Sequence, residues 1–226
     1  MIKVETRKAV WGKSSLTSPE ALENCIAHYD FLPFFSNKVK GWSIEEMTPH
    51  SLWFTETPGP WEWKGPVARQ GSFLYGKFFN KKAGFISMDW WPDFCNYRRS
   101  KRPRPGDESI EGAILGTLQL SGSLITRDLR TACGFNGKGM RSKFDGYLTR
   151  LQMGTYIVTE DFVYPRDRHN REYGWGWSLL NTPEALCGKE ACQCGRAPEE
   201  SLQRMMQHLR QVLPQASDKQ LMRLIG

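Results

Sequence analysis

The sequence predicts an α+β chain of two winged helix-turn-helix units in tandem, closed by C-terminal helices. Two observations predict it. Three short helical patterns followed by a β-hairpin pattern occur once between Ser18 and Ser87, and again between Ile110 and Leu180. Between them lies RRSKRPRPGD (Arg98–Asp107), a stretch with five Lys/Arg and two prolines, which buries little and predicts an exposed linker. The expected organisation is an N-terminal winged-helix-like unit over 1–98, a basic linker over 99–107, a second winged-helix unit over 108–187 and C-terminal helices over 188–226. The repetition is one of pattern, since the residues themselves do not repeat.

Ser18-Pro19-Glu20 opens the first helix: a capping hydroxyl, proline at the first helical position and an acid in the first turn. Leu22, Cys25, Ile26 and Tyr29 form its apolar face, and the helix stops before Pro33. Ser43 and Glu46 predict a capping box for a second short helix. The prolines and glycine of 55–60 predict a turn. A third helix fits Trp61–Gln70, with Gly65-Pro66 expected to interrupt or delay it. Ser72–Phe79 and Ala83–Ser87 are aromatic and β-branched, joined by Asn80-Lys81-Lys82, and predict a hairpin. Asp89–Tyr97 predicts a helix beginning near Pro92.

In the second unit, Ile110, Ala113, Ile114 and Leu118 predict one helix stopped near Gly122, and Thr126 caps another that ends at Gly134. Arg141–Met153 predicts the third, with Phe144, Tyr147, Leu148 and Leu151 inward. A long hairpin follows: Thr155–Tyr164 out, Tyr173–Leu180 back, with Tyr173, Trp175, Trp177 and Leu179 alternating, and a polar, basic tip. Pro198 opens a closing helix with Leu202, Met205, Met206, Leu209, Val212 and Leu213 inward. Ser217 and Gln220 form another capping box before Leu221, Leu224 and Ile225.

No stretch of about 18 apolar residues exists, so no membrane span is predicted. The start, MIKVETRKAV, lacks an apolar h-region, and six scattered cysteines fit reduced thiols better than a disulfide framework. Both point to a cytoplasmic protein. Cys187, Cys192 and Cys194 have C-x4-C-x-C spacing, which is not the paired C-x2-C of zinc sites, and the four histidines are dispersed, so no metal site is predicted. No nucleophile-elbow, Walker or dinucleotide pattern is present, and no cofactor is expected. Glu160 and Asp161 are neighbours on a predicted strand, point to opposite faces and so are not an acid/base pair.

The net charge of +7 points to an acidic partner, with double-stranded DNA first among candidates. Arg141, Lys143 and Arg150 lie off the apolar stripe of the third helix of the second unit, the face that a helix-turn-helix lays in the major groove. Arg166, Arg168 and Arg171, with His169, sit at the hairpin tip, where a wing meets phosphates or the minor groove. Arg98, Arg99, Lys101 and Arg102 of the linker could clamp a phosphate backbone. The same residues also fit a solvated helix face, a soluble tip and a solubilising tether, as in a protein-interaction module.

At KKAGFISMDWWPDFCNYRR the sequence resembles the AlkZ/YcaQ family of winged-helix DNA glycosylases. Ala83, Phe85, Ile86, Pro92 and Arg98 match that family's wing strand, following proline and arginine-rich helix end. LPFFSNKVKGWSIEE resembles the stretch before the wing, and LTRLQMGTYIVTEDF and YGWGWSLLNTPE resemble a later winged helix. The chain is identified as a member of a shorter, AlkZ-related branch. The resemblance implies the fold, DNA binding and, as an alternative, excision of alkylated or crosslinked bases. The family's water-holding Gln-apolar-Gln or Gln-apolar-Asp motif is absent from ALENCIAHYD, where it belongs. Gln119-Leu120-Ser121 and Gln152-Met153-Gly154 lack the second polar partner, which leaves Glu23 or Asp30 as a water activator or as surface residues.

Overall fold

The computed structural model describes residues 11–226. The expectation drawn from MIKVETRKAV lies outside the described residues. The first unit runs α1 (Pro19–Tyr29), β1 (Phe31–Pro33), α2 (Ile44–Met47), α3 (Pro60–Arg69), β2 (Phe73–Phe79) and β3 (Lys82–Ser87), then α4 (Trp91–Lys101). The second runs α5 (Ile110–Ser121), β4 (Leu124–Ile125), α6 (Thr126–Ala132), α7 (Met140–Met153), β5 (Val158–Val163) and β6 (Trp177–Asn181). A short α8 (Pro183–Cys187) leads to α9 (Pro198–Val212) and α10 (Asp218–Ile225).

All six strands join one antiparallel sheet in the order β1-β3-β2-β5-β6-β4. Each unit therefore has the order helix, strand, helix, helix, strand, strand, and its first strand lies on its third. The seam between units is narrow: β2 meets β5 at Tyr75 and Thr159. Across it, α3 of the first unit packs on β5 of the second, and α7 of the second packs on β2 of the first.

The local signals explain most elements. Ser18 Oγ accepts from the Ala21 amide, Pro19 occupies the first turn, and Leu22, Cys25, Ile26 and Tyr29 are all buried. Ser43 caps α2 and its hydroxyl also meets Glu46. Asn80 and Lys81, both at positive φ (48° and 68°), make the two-residue turn of the first hairpin, the geometry that matches strand twist.

Helix α3 is continuous through Gly65-Pro66, contrary to the expected interruption. Pro66 and Glu62, whose carbonyl loses its helical donor to the proline, are both exposed. Gly65 permits the close packing, since a Cβ there would lie 2.9 Å from Asp161 Oδ1 on β5. Helix α4 is also longer than expected. It runs on to Lys101 and absorbs the first four residues of the basic stretch. The remainder is no free tether: Ser109 N and Oγ both donate to Gly106 O, and Gly112 is needed because a Cβ would approach that oxygen to 2.1 Å. In the second hairpin the strands are shorter than predicted, and Tyr173 and Trp175 are exposed outside β6.

Two apolar cores result. One joins the first unit with α4, α9 and α10, through Phe31, Trp42, Phe78, Phe94, Met205, Leu209, Leu221 and Ile225. The other fills the second unit with Ile114, Leu118, Leu129, Phe144, Leu148 and Leu180. The closing helices are thus part of the first unit's interior. Burying each such side chain contributes roughly 1.5–3 kcal/mol. Asp93, 2% exposed, fixes α4 to α9: it accepts from Ser201 Oγ at 2.7 Å and from Arg204 at 2.9 Å, with Arg196 at 3.3 Å.

Candidate nucleic-acid interface

Helix α7 enters after Gly139, whose φ of 76° reverses the chain, and seats Phe144, Leu148 and Leu151 in the core. Its period then turns Arg141 and Lys143 outward. Arg141 is 81% exposed, with one weak charged neighbour among the described residues, Asp145 at 4.0 Å. Lys143 is exposed and has no charged partner among the described residues. Arg150 is already committed: its guanidinium donates twice to Glu111 Oε1, at 2.8 and 2.6 Å, and stacks over Tyr147.

The hairpin tip is less cationic than its arginines suggest. Arg166 pairs with Glu172 at 3.1 Å and Arg171 with Asp167 at 2.9 Å. The backbone amide of Arg171 and that of His169 donate to Asp167, which holds its carboxyl below the usual range and fixes the turn. Arg168 meets only His169 among the described residues. Three arginines thus stand against two acids.

The linker cations separate by burial. Arg98 is 1% exposed, and the expectation of a surface cation there is corrected. Its guanidinium donates to the carbonyls of Phe78 (2.8 Å), Leu224 (3.0 Å) and Met153 (3.2 Å), tying β2, α10 and α7 to α4. Burial pushes its pKa down to about 9. Arg99 is half-buried, bonded to Thr155 O and paired with Glu184 at 2.7 Å. Lys101 and Arg102 are exposed, Lys101 lying 3.9 Å from Glu199. Of the ten cations expected to meet nucleic acid, Arg141, Lys143, Arg168, Lys101 and Arg102 remain available.

Two features escaped the sequence reading. Phe54, 66% exposed and at φ 56°, Trp175, 60% exposed, and Trp61 form an aromatic cluster with centroids 5.3–6.1 Å apart. A bulky side chain held at positive φ and in water is strained, and the cluster offers open ring faces. Beside it, both α3 and α7 line a cavity of about 360 Å³ over the β2–β5 seam, walled by Trp61, Lys64, Tyr75, Asp145, Gln152, Thr159 and Phe162.

The two carboxylates considered as water activators are occupied elsewhere. Glu23 accepts from Gln70, and Asp30 accepts from Ser87 and pairs with His208 at 3.1 Å. Glu160 accepts from Ser123 and Asn181, while Asp161 holds Arg69. All six cysteines are free thiols. No described helix is long and apolar enough to cross a membrane.

The family described as AlkZ related matches residues 16–226, nearly the whole chain. The chain belongs to the AlkZ-related family. That match runs through the seam and the closing helices. No curated protein and no solved structure matches it at a significant level.

Proposed function

We propose that this chain is a double-stranded-DNA-binding protein with a glycosylase-like repair role, built from two winged-helix units. One observation carries the reading: both units share the order helix, strand, helix, helix, strand, strand with the first strand on the third, in a chain of the AlkZ-related family. That order is the winged helix-turn-helix, whose third helix enters the major groove and whose wing reaches phosphates or the minor groove.

The two third helices are not equivalent. Helix α3 buries Trp63, Lys64, Gly65, Val67 and Ala68 and serves as a buttress for the second hairpin. Helix α7 presents Arg141 and Lys143 and is the groove helix. Arg168, Lys101 and Arg102 add phosphate contacts, which position without reading sequence. Excision of an alkylated or crosslinked base requires base access and a water activator. On this reading the base would enter the cavity at the seam, between Trp61 and Phe162.

Fluorescence anisotropy with duplex DNA at about 50 and 200 mM salt tests the binding. Affinity should fall steeply with salt. Replacing Arg141 and Lys143 together by alanine should cost roughly 1–3 kcal/mol and flatten the salt slope by about one for each phosphate no longer neutralised. Arg150→Ala should leave that slope nearly unchanged, because Glu111 already holds its charge. A salt-insensitive or absent signal would make the chain a protein-interaction module instead.

A further inference from the structure

Lys64 is 1% exposed and has no carboxylate within ion-pairing distance among the described residues. Glu62, the nearest acid in sequence, caps α3 through the Gly59 amide at 2.9 Å. The Lys64 ammonium donates to the Trp61 carbonyl and lies 3.8 Å from the Trp61 ring centroid and 4.2 Å from that of Phe162. It is therefore held in place yet not neutralised. Burial, opposed only weakly by Glu62, pushes its pKa down to about 7. Near neutral pH a large share of the side chain is free amine, the nucleophilic form.

The cavity around it carries polar groups with unused bonding capacity. Tyr75 and Thr159 are buried wall residues whose hydroxyls have no partner among the described residues. Gln152, 4% exposed, accepts from the Lys77 amide through Oε1 and keeps its amide hydrogens unspent. The Trp61 indole N–H is buried without an acceptor. A ligand bearing hydroxyl and carbonyl oxygens would give the buried Trp61 N–H an acceptor and would meet the free hydroxyls and amide hydrogens of the wall. The volume of about 360 Å³ admits a sugar-sized group.

We propose that this cavity captures an aldehyde by imine formation at Lys64, the substrate class being the ring-opened 2-deoxyribose of an abasic site in DNA. The DNA part of this inference rests on the binding function proposed above. The Nζ lone pair attacks C1′ and forms the C–N bond, while the carbonyl π pair moves to oxygen, which takes up a proton. The carbinolamine then loses that oxygen as water, with both nitrogen-bound hydrogens accounted for in the water, and C=N closes. Amine and aldehyde give imine and water, with no change in oxidation state. Tyr75, Thr159 and Gln152 are the donors that hold the sugar oxygens.

The experiment uses the full chain with a fluorescent duplex containing one abasic site, treated with cyanoborohydride to reduce any imine to a stable amine. The adduct is mapped by peptide mass. The same duplex is followed by anisotropy, and 2-deoxyribose 5-phosphate is trapped in parallel. A single dominant adduct on Lys64 supports the proposal, with trapping that rises through about pH 7 and falls at least roughly tenfold in Lys64→Arg, which keeps charge and bulk but cannot form the imine. Mapping on the unaltered chain does not depend on any variant folding. Duplex binding without an adduct at Lys64, or adducts spread over exposed lysines, overturns the proposal and leaves the DNA reading intact. Sugar-phosphate trapping at Lys64 without duplex binding supports the amine site and removes DNA as its substrate.

Discussion

Lys64→Met should abolish a specific rise of stability with pH. The folded ammonium has a pKa of about 7, against an ordinary 10.5 that the unfolded chain retains. Below pH 7 both states carry the proton and the group contributes no slope. Between 7 and 10.5 the unfolded chain binds one more proton than the folded chain, so folding stability increases as pH rises. Each pH unit well inside that window is worth about 1.4 kcal/mol, and from pH 6 to 8.5 the difference sums to about 2 kcal/mol. The side chain is 1% exposed, so solvent screening takes little of this away. In a chain of this size that corresponds to roughly 4–8 °C in Tm. Burial lifts the Cys25 and Cys95 thiols, which acts in the opposite direction at the alkaline end, but both proteins share them and the difference cancels. Urea unfolding of both proteins at pH 6 and 8.5 measures it. Parallel stability curves would show that Lys64 stays charged when folded, and would remove the physical basis for an amine nucleophile.

Three further outcomes follow from named contacts. Arg98→Met leaves three buried carbonyls without a donor while relieving the cost of a buried charge, and should lower stability by roughly 2–4 kcal/mol net, read as a fall in Tm; an unchanged Tm would mean that the three bonds only offset desolvation. Asp93→Asn should cost roughly 2–3 kcal/mol and loosen α9 from α4, measured as faster limited proteolysis around residues 188–197. Phe54→Ala and Trp175→Ala should each weaken DNA binding by about 1–3 kcal/mol if bases stack on the exposed rings, with thermal stability nearly unchanged; equal loss for intact and base-unpaired duplexes would argue against stacking.

Much of this fold was legible because its information is local. The caps at Ser18, Ser43 and Ser217 and the apolar face of α9 each act within a few residues, and the structure places them as expected. The strands β1 and β4 were missed since neither has a periodicity: they are three and two residues long and exist only because β3 and β6 offer them edges. Gly65-Pro66 was misjudged for a related reason. A glycine that breaks a helix and one that lets a helix touch a strand look alike until the strand, nearly a hundred residues on, is in place.

The cations make the same point about function. Sequence supplies the sign of a charge but not what lies within 4 Å of it, and that neighbour decides the role. Arg98 and Lys64 are both buried, yet carbonyls from three elements surround Arg98 and fix it as a structural tie, whereas Lys64 has one carbonyl, two ring faces and an open cavity. Arg150 and Arg141 share a helix, but Glu111 from α5 consumes the first and leaves the second to solvent. A basic stretch therefore divides into ties, internal pairs and free charges only after the two units have closed on each other. The seam at Tyr75 and Thr159 does that closing, and it is also what brings α3 and α7 to one cavity. The chemistry proposed for Lys64 is thus a property of the pairing of the units: neither unit alone contains the amine, its aromatic walls and the Gln152 amide together.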